Sequence, residues 1–489
     1  MSVAQVDLLI VGGGINGAGI ARDAAGRGLT VMLVEKDDLA AHTSSASSKL
    51  IHGGLRYLEQ FDLKLVRESL QERERLLRVA PHIVRPLQFV LPLTEASRPS
   101  WMIRSGLFLY DHLAMRELLP ASRSIRLVGA IADGLKASGK KAFTYWDCRV
   151  QDSRLVVLNA LDAAARGATI RTRTELIEAR REEGMWTAKL GGTGAPRTVR
   201  ARALLNAAGR WASEILNRLG GVQKRRAVRL VKGSHIVLPR LYPGSHAYLL
   251  QNPDRRIVFA IPFEGRFTLV GTTEVSWAEL FKTPAISDDE VAYLLRTVAR
   301  NFVADVSSGD IVWSYSGVRT LPDDGSVNPS RITRDYVLDL DTANGEPPLL
   351  SIFGGKITTY RRLAERALEK LAPLLGFREV AWTDGAILPG GDIPELDPDG
   401  YAGKLIRRHP GLPDALVARL AGTYGTLTEE LLESGLGEDL GGGLHTGEVD
   451  YLVSNEWAQI AEDILFRRTK LGLQVPEDTA DRLTAYLGR

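Results

Sequence analysis

Three stretches of the chain predict its fold class, α/β plus α+β. A glycine-rich turn joins an apolar strand to an Ala-rich helix near the N-terminus. Strand-like runs at residues 256–263 and 266–271 suggest an antiparallel sheet. Helical spacing without strand-length β-branched runs fills residues 401–489. The first stretch says most. Residues 6–11 (VDLLIV) form a short apolar strand that runs into Gly12-Gly13-Gly14-Ile15-Asn16-Gly17. A helix to about Gly26 and a second apolar strand, residues 30–34, lead to Glu35. Strand, G-x-G-x-x-G, helix, strand and acid, in that order, form a Rossmann-type unit that binds an adenine dinucleotide. Gly12 permits the tight turn, Gly14 lets backbone N–H groups approach a pyrophosphate, and Gly17 lets helix pack on strand. The helix N-terminus offers unpaired N–H groups and partial positive charge to phosphates. Glu35 can accept from ribose hydroxyls and would repel a 2′-phosphate, and Lys36 follows on the cofactor side.

Bulk properties exclude several classes. With 489 residues the chain is long enough for two or three domains. Its 62 basic and 59 acidic side chains leave a formal charge of only +3, so nucleic acid is not an expected partner. Cys148 is the sole cysteine, which excludes an internal disulfide or a cysteine-built cluster and suits a reducing compartment. The N-terminal apolar run is short and already used as a strand, so no leader is expected. No stretch approaches the roughly 18 apolar residues a spanning helix needs. No metal site is expected: the histidines are scattered, and the acids near Asn344-Gly345 lack calcium-loop spacing.

FAD is the expected dinucleotide. The glycine unit sits at the start of the sequence, as suits a cofactor built into the fold, and no second strand-flanked G-x-G-x-x-G offers a separate nicotinamide site. Gly191-Gly192-Thr193-Gly194 and Gly441-Gly442-Gly443 lack a preceding apolar strand and read as turns. Residues 203–209 (ALLNAAG) are an apolar strand ending in small residues, so backbone near Gly209 can pass close to a cofactor or simply end a strand.

Three longer segments carry a resemblance. Residues 12–28 (GGGINGAGIARDAAGRG), 43–57 (TSSASSKLIHGGLRY) and 354–364 (GGKITTYRRLA) resemble the characteristic segments of FAD-dependent glycerol-3-phosphate dehydrogenase, of the aerobic, quinone-linked type. Shorter stretches at 232–235, 271–273, 315–319, 333–336 and 466–469 follow in the family's order. Arg210 departs from it, since the family often carries Pro there. The resemblance implies oxidation of sn-glycerol 3-phosphate to dihydroxyacetone phosphate by hydride transfer from C2 to FAD. It further implies electron delivery to membrane quinone, and peripheral attachment to the cytoplasmic face of the inner membrane. A homodimer is a further expectation. An oxygen-using glycerol-3-phosphate oxidase, or an amine or amino-acid oxidase of the same fold, remain alternatives.

A phosphorylated substrate needs a dianion clamp. Arg56, Lys232, Arg319, Arg334 and Lys356 stand in apolar or glycine-rich surroundings, although any one of them alone reads more readily as a surface ion pair. With the resemblance counted, Arg56, Tyr57, Thr272, Arg319 and Arg334 become substrate-binding candidates, and Arg256 a weaker one. Thr43, Ser44, Ser45, Ser47 and Ser48 become a hydroxyl-lined cofactor loop, with His52, Gly53 and Gly54 as flavin contacts. Gly355, Lys356 and Thr358 form a strand-to-helix turn whose N-terminus and ammonium would stabilise charge on the reduced flavin. His235 is the candidate base for the C2 hydroxyl proton, because an unperturbed imidazole titrates near ~6.5. A buried structural histidine is the competing reading.

The motifs divide the chain into a discontinuous FAD-binding domain at residues 1–78, 150–230 and 311–385, a substrate domain at 79–149 and 231–310, and a helical domain at 386–489. Residues 385–400, rich in Pro, Gly and Asp, read as the linker. Residues 101–115 (WMIRSGLFLYDHLAM) suit either a buried core helix or an amphipathic segment lying in a membrane interface.

Overall fold

The computed structural model describes residues 4–192, 194, 197–222, 228–323, 335–342, 345–377 and 380–488. Strand Ala4–Val11 pairs in parallel with Val31–Val34 on one side and with Thr198–Asn206 on the other. Thr169–Arg171 extends the sheet beyond Val31–Val34, and Leu349–Phe353 extends it beyond Thr198–Asn206. Strand order therefore reverses between Ala4–Val11 and Thr198–Asn206, and ligands of open α/β sheets bind in the crevice at such a point. The antiparallel strands Glu175–Glu182, Met185–Gly191 and Val337–Asp341 complete this sheet. Helices Ile15–Gly26, Asp152–Ala165 and Tyr360–Leu375 pack together. The first can lie this close because Ala18, Ala21 and Ala24 are small and fully buried.

A second, largely antiparallel sheet stands beside the first. Its long strands are Val84–Pro92, Lys141–Val150, Val228–Pro239 and Trp313–Pro322. Sequence spacing assigned residues 311–385 to the cofactor domain as a block. Trp313–Pro322 instead pairs with Val228–Pro239 over its whole length, an antiparallel ladder that satisfies the backbone groups facing it. This pairing brings Arg319 level with Val231 at the edge of the crevice.

Helices Pro398–Arg408, Asp414–Tyr424, Leu427–Glu433, Thr446–Glu456 and Thr479–Leu487 build the C-terminal domain around two apolar clusters of its own. Buried charge joins it to the rest. Asp38, fully buried, accepts from Arg467 Nε at 2.7 Å and from Arg468 at 2.8 and 2.9 Å. Asp152 accepts from Lys49 at 3.0 Å and faces Lys470 at 3.4 Å. Among the described residues no helix is long and apolar enough to cross a membrane.

Candidate active site

The glycine turn fills the crevice floor for steric reasons. Gly12 has φ +115°, and a Cβ there would stand 2.5 Å from the Ala207 carbonyl oxygen of the neighbouring strand end. A Cβ on Gly17 would run into the Gly12 carbonyl. At Gly14 the only near atom among the described residues is Ser44 Oγ, at 3.0 Å, which leaves its backbone open to a ligand. Glu35 closes the turn from the second strand: Oε2 accepts from Gly13 N–H at 2.7 Å and Oε1 from Asp37 N–H at 2.9 Å. Burial pushes the Glu35 pKa up while those two amides pull it down.

Two cavities meet here, sharing Ile15, Asn16, Thr43, Ser44, Ala207 and Gly209 as walls. The first takes in Gly12, Gly14, Glu35, Lys36, His42 and Trp211. The second takes in Ser48, His52, Tyr57, Thr272, Arg319 and Lys356. At the junction Asn16 donates through Nδ2 to Gly354 O at 3.2 Å, while its buried Oδ1 has no partner among the described residues. An elongated site with a glycine-only approach, a helix N-terminus and an orphan acceptor at mid-length fits a dinucleotide spread along it.

Trp211, which sequence reasoning missed, organises the outer end. Lys36 Nζ stands 3.9 Å from its ring centroid and the Arg210 guanidinium 4.1 Å, while His42 meets its edge at 4.4 Å. Arg210, the departure from the family pattern, thus has a stacking partner. His42 bonds Asp37 at 2.7 Å, and this bond is the main cause holding the Asp37 carboxyl at about 2. Glu35, Asp37 and His42 bring potential ligand atoms within 4.8 Å of one another. Both Glu35 oxygens are already taken by amides, so hydrogen bonding accounts for the cluster.

The serine loop has divided duties. Thr43 Oγ1 donates to Val318 O at 2.7 Å, and Ser44 Oγ accepts the Ile15 amide at 3.0 Å. Ser47 lines the second cavity and donates to Asp152 at 2.8 Å. Ser45 lines neither cavity; its hydroxyl turns back to His42 O at 3.2 Å.

In the second cavity, Lys356 Nζ lies 3.8 Å from the Tyr57 ring centroid, and a Cβ on Gly54 would stand 3.4 Å from that ammonium. Arg319 faces Glu274 at 3.7 Å. His52 is held by Thr358, whose Oγ1 accepts its amide at 3.2 Å. Burial, then Lys356 and Arg319, push the His52 pKa down to about 3, so its imidazole is neutral at working pH. Gly355 has φ +98°, and a Cβ there would stand 3.2 Å from Asn16 Nδ2.

Other candidates lie elsewhere. His235 is not a wall residue: it is buried behind Ser48, whose Oγ bonds its Nε2 at 2.9 Å, and its ring stacks on Tyr315 at 4.9 Å. Burial, then Arg319 and Lys49, lower its pKa to about 3. Arg256 is outside both cavities, because it pairs with Asp254 at 2.7 Å and lies over Tyr293 at 3.9 Å. Lys232 forms a buried pair with Glu290 at 2.8 Å. Arg334 and the Arg56 side chain lie outside the described residues.

Sequence reasoning also missed Asp147, Glu274 and the apolar wall of Phe89, Tyr145, Leu249 and Phe259. Asp147 left a signal: it is the one acid inside the apolar strand Lys141–Val150. It is buried, accepts from Arg73 at 2.8 Å and Tyr110 at 2.7 Å, and burial raises its pKa.

Residues 7–361 match the family of FAD dependent oxidoreductases, and residues 381–487 match the C-terminal domain of alpha-glycerophosphate oxidase. The chain belongs to the FAD-dependent oxidoreductases. Among relatives of this flavoenzyme, glycerol-3-phosphate dehydrogenase of Pseudomonas aeruginosa is 54% identical over 487 residues, covering 98% of this chain and 94% of the relative. D-erythritol 1-phosphate dehydrogenase of Brucella abortus is 48% identical over 479 residues, covering 96% and 95%. The structure of glycerol-3-phosphate dehydrogenase from Bacillus halodurans complexed with FAD superposes with a TM-score of 0.72 at 27% identity, covering 95% of this chain and 86% of that one. FAD is the cofactor, and the lining of the cavity pair fits it.

Proposed function

We propose that this flavoenzyme oxidises sn-glycerol 3-phosphate to dihydroxyacetone phosphate and delivers the electrons to membrane quinone. The observation that carries the reading is the convergence of Arg319, Lys356 and Tyr57 on the cavity that also holds neutral His52. Bound FAD supplies the hydride acceptor. The chain's residues do the rest: Arg319 and Lys356, with Arg56 and Arg334 from the same family segments, bind and orient the phosphorylated alcohol. The apolar wall of Phe89, Leu249 and Phe259 keeps water from the reacting carbon. The C2 hydroxyl proton needs an acceptor other than His235, which stands behind Ser48 with its pKa held at about 3.

An erythritol 1-phosphate substrate is a second reading, motivated by the 48% identical relative. An anaerobic absorbance titration decides between them. Bleaching of the flavin by glycerol 3-phosphate at lower concentration than by erythritol 1-phosphate supports the first, and the opposite order overturns it. Hydrogen peroxide released in air without another acceptor would instead make the enzyme an oxidase.

Peripheral membrane attachment is part of the same reading. Helix Ser100–His112 buries only Ile103, Leu107 and Tyr110, so it is not the core helix its composition allowed. Trp101 is 72% exposed and Phe108 57% exposed. Such a face suits the headgroup boundary of a bilayer. Flotation of the protein with liposomes tests it, and recovery in the soluble fraction at every lipid composition overturns it.

A further inference from the structure

Beside the first turn of helix Ser100–His112 the surface folds inward, between residues 94–99, 136–140, 253–255 and 300–301. Five cations line this cavity, Arg98, Lys136, Lys140, Arg255 and Arg300, against two acids, Glu59 and Glu95. Glu59 is taken by Arg98 at 2.7 Å. Among the described residues, none of the other four cations has a carboxylate partner. Lys136 Nζ donates to Ala299 O and Arg300 to Asn252 Oδ1, both at 2.6 Å and both neutral acceptors. Four like charges around one hollow repel each other, and although solvent screens part of that cost, a bound anion offsets more of it. Planar guanidinium forks beside ammonium groups suit a phosphate ester.

The rim indicates where that phosphate comes from. Met102 is itself a wall residue, Trp101 precedes it, and Phe61, 86% exposed, follows two residues after Glu59. Exposed apolar side chains bordering a basic hollow are arranged as a bilayer boundary is, hydrocarbon beside phosphate. We propose that this cavity binds the phosphate of an anionic lipid headgroup, with Phe61, Trp101 and Met102 entering the acyl boundary beside it. The proposal rests on the membrane-attachment reading and names the lipid chemistry that attachment uses.

The test uses the FAD-loaded full chain and phosphatidylcholine vesicles with or without phosphatidylglycerol. The double variant Lys140→Ser/Arg255→Ser is compared with Lys404→Ser/Arg407→Ser, which removes equal charge from an exposed helix of the C-terminal domain. The cavity variant should lose about tenfold or more in affinity for phosphatidylglycerol vesicles, and the control variant little. Turnover with a soluble dye acceptor should be unchanged in both. Equal losses in the two variants overturn the site while leaving attachment intact. Wild-type protein that binds neither vesicle overturns attachment itself. If inorganic phosphate saturates the wild type but not the cavity variant, and vesicle affinity is the same in both, the lipid assignment is overturned in favour of soluble phosphate.

Discussion

Tyr110 accepts the Gly53 amide at 2.8 Å while donating its own proton to Asp147 at 2.7 Å. Tyr110 lies on the inner side of the helix whose outer side is exposed, and Gly53 sits between two wall residues of the second cavity, His52 and Gly54. The Tyr110 hydroxyl, with Asp147 Oδ1 at 3.4 Å behind it, therefore holds the backbone of the loop carrying His52. Tyr110→Phe leaves a buried amide and a buried carboxylate each short of a partner, at a cost of about 1–3 kcal/mol. Denaturant unfolding should register that loss, and the loosened loop should lower kcat more than it raises KM. Unchanged unfolding and kinetics would remove Tyr110 from this role.

Arg319 is the cation whose removal should matter most to substrate. Arg319→Ala should lower kcat/KM for glycerol 3-phosphate by about tenfold or more, because a charge-assisted phosphate contact is lost. The flavin spectrum and stoichiometry should persist. Wild-type kinetics in the variant would take Arg319 out of the substrate site.

Glu35 braces the glycine turn through the backbone, and its removal should weaken FAD binding. Glu35→Ala removes the acceptor for the Gly13 amide and loosens the turn beneath the dinucleotide. The expected result is a reduced flavin-to-protein absorbance ratio after dialysis, restored by excess FAD. Full retention of FAD would show that the turn holds without it.

Acid stability follows from buried imidazoles. His52, His82 and His235 are each held at about 3, chiefly by burial, against an ordinary value near 6.5. Between those values the unfolded chain binds more protons than the folded one, so stability falls as pH drops below about 6.5. His82 is away from the crevice, and neither of its ring nitrogens has a hydrogen-bond partner among the described residues. His82→Leu should flatten the dependence by about 1.4 kcal/mol per pH unit between pH 6 and 4. An unaltered slope would mean that His82 does not titrate on unfolding.

The cofactor turn was legible because its logic is local: strand, glycines, helix and acid all act within the first 35 residues, and each contact repeats a backbone pattern. Lys356 and Arg319 stood out for a similar reason, a cation at the end of an apolar strand. Asp147 and Tyr110 were hidden because they meet Gly53 only after three distant segments assemble. Ser45 and Ser47 could not be told apart by type, since one hydroxyl faces a backbone carbonyl and the other a buried carboxylate supplied from residue 152. His235 lay in the right strand, yet its side chain faces Ser48 instead of the cavity, a difference that only the pairing with Trp313–Pro322 and Phe267–Gly271 decides.

The ionic seam at Asp38 and Asp152 makes the tail domain more than an appendage. A chain without the tail domain would lose both arginines from Asp38 and leave Asp152 leaning on Lys49 alone. Severing the last hundred residues should thus unravel the nucleotide cradle as well, and limited proteolysis in that linker should release flavin along with the fragment.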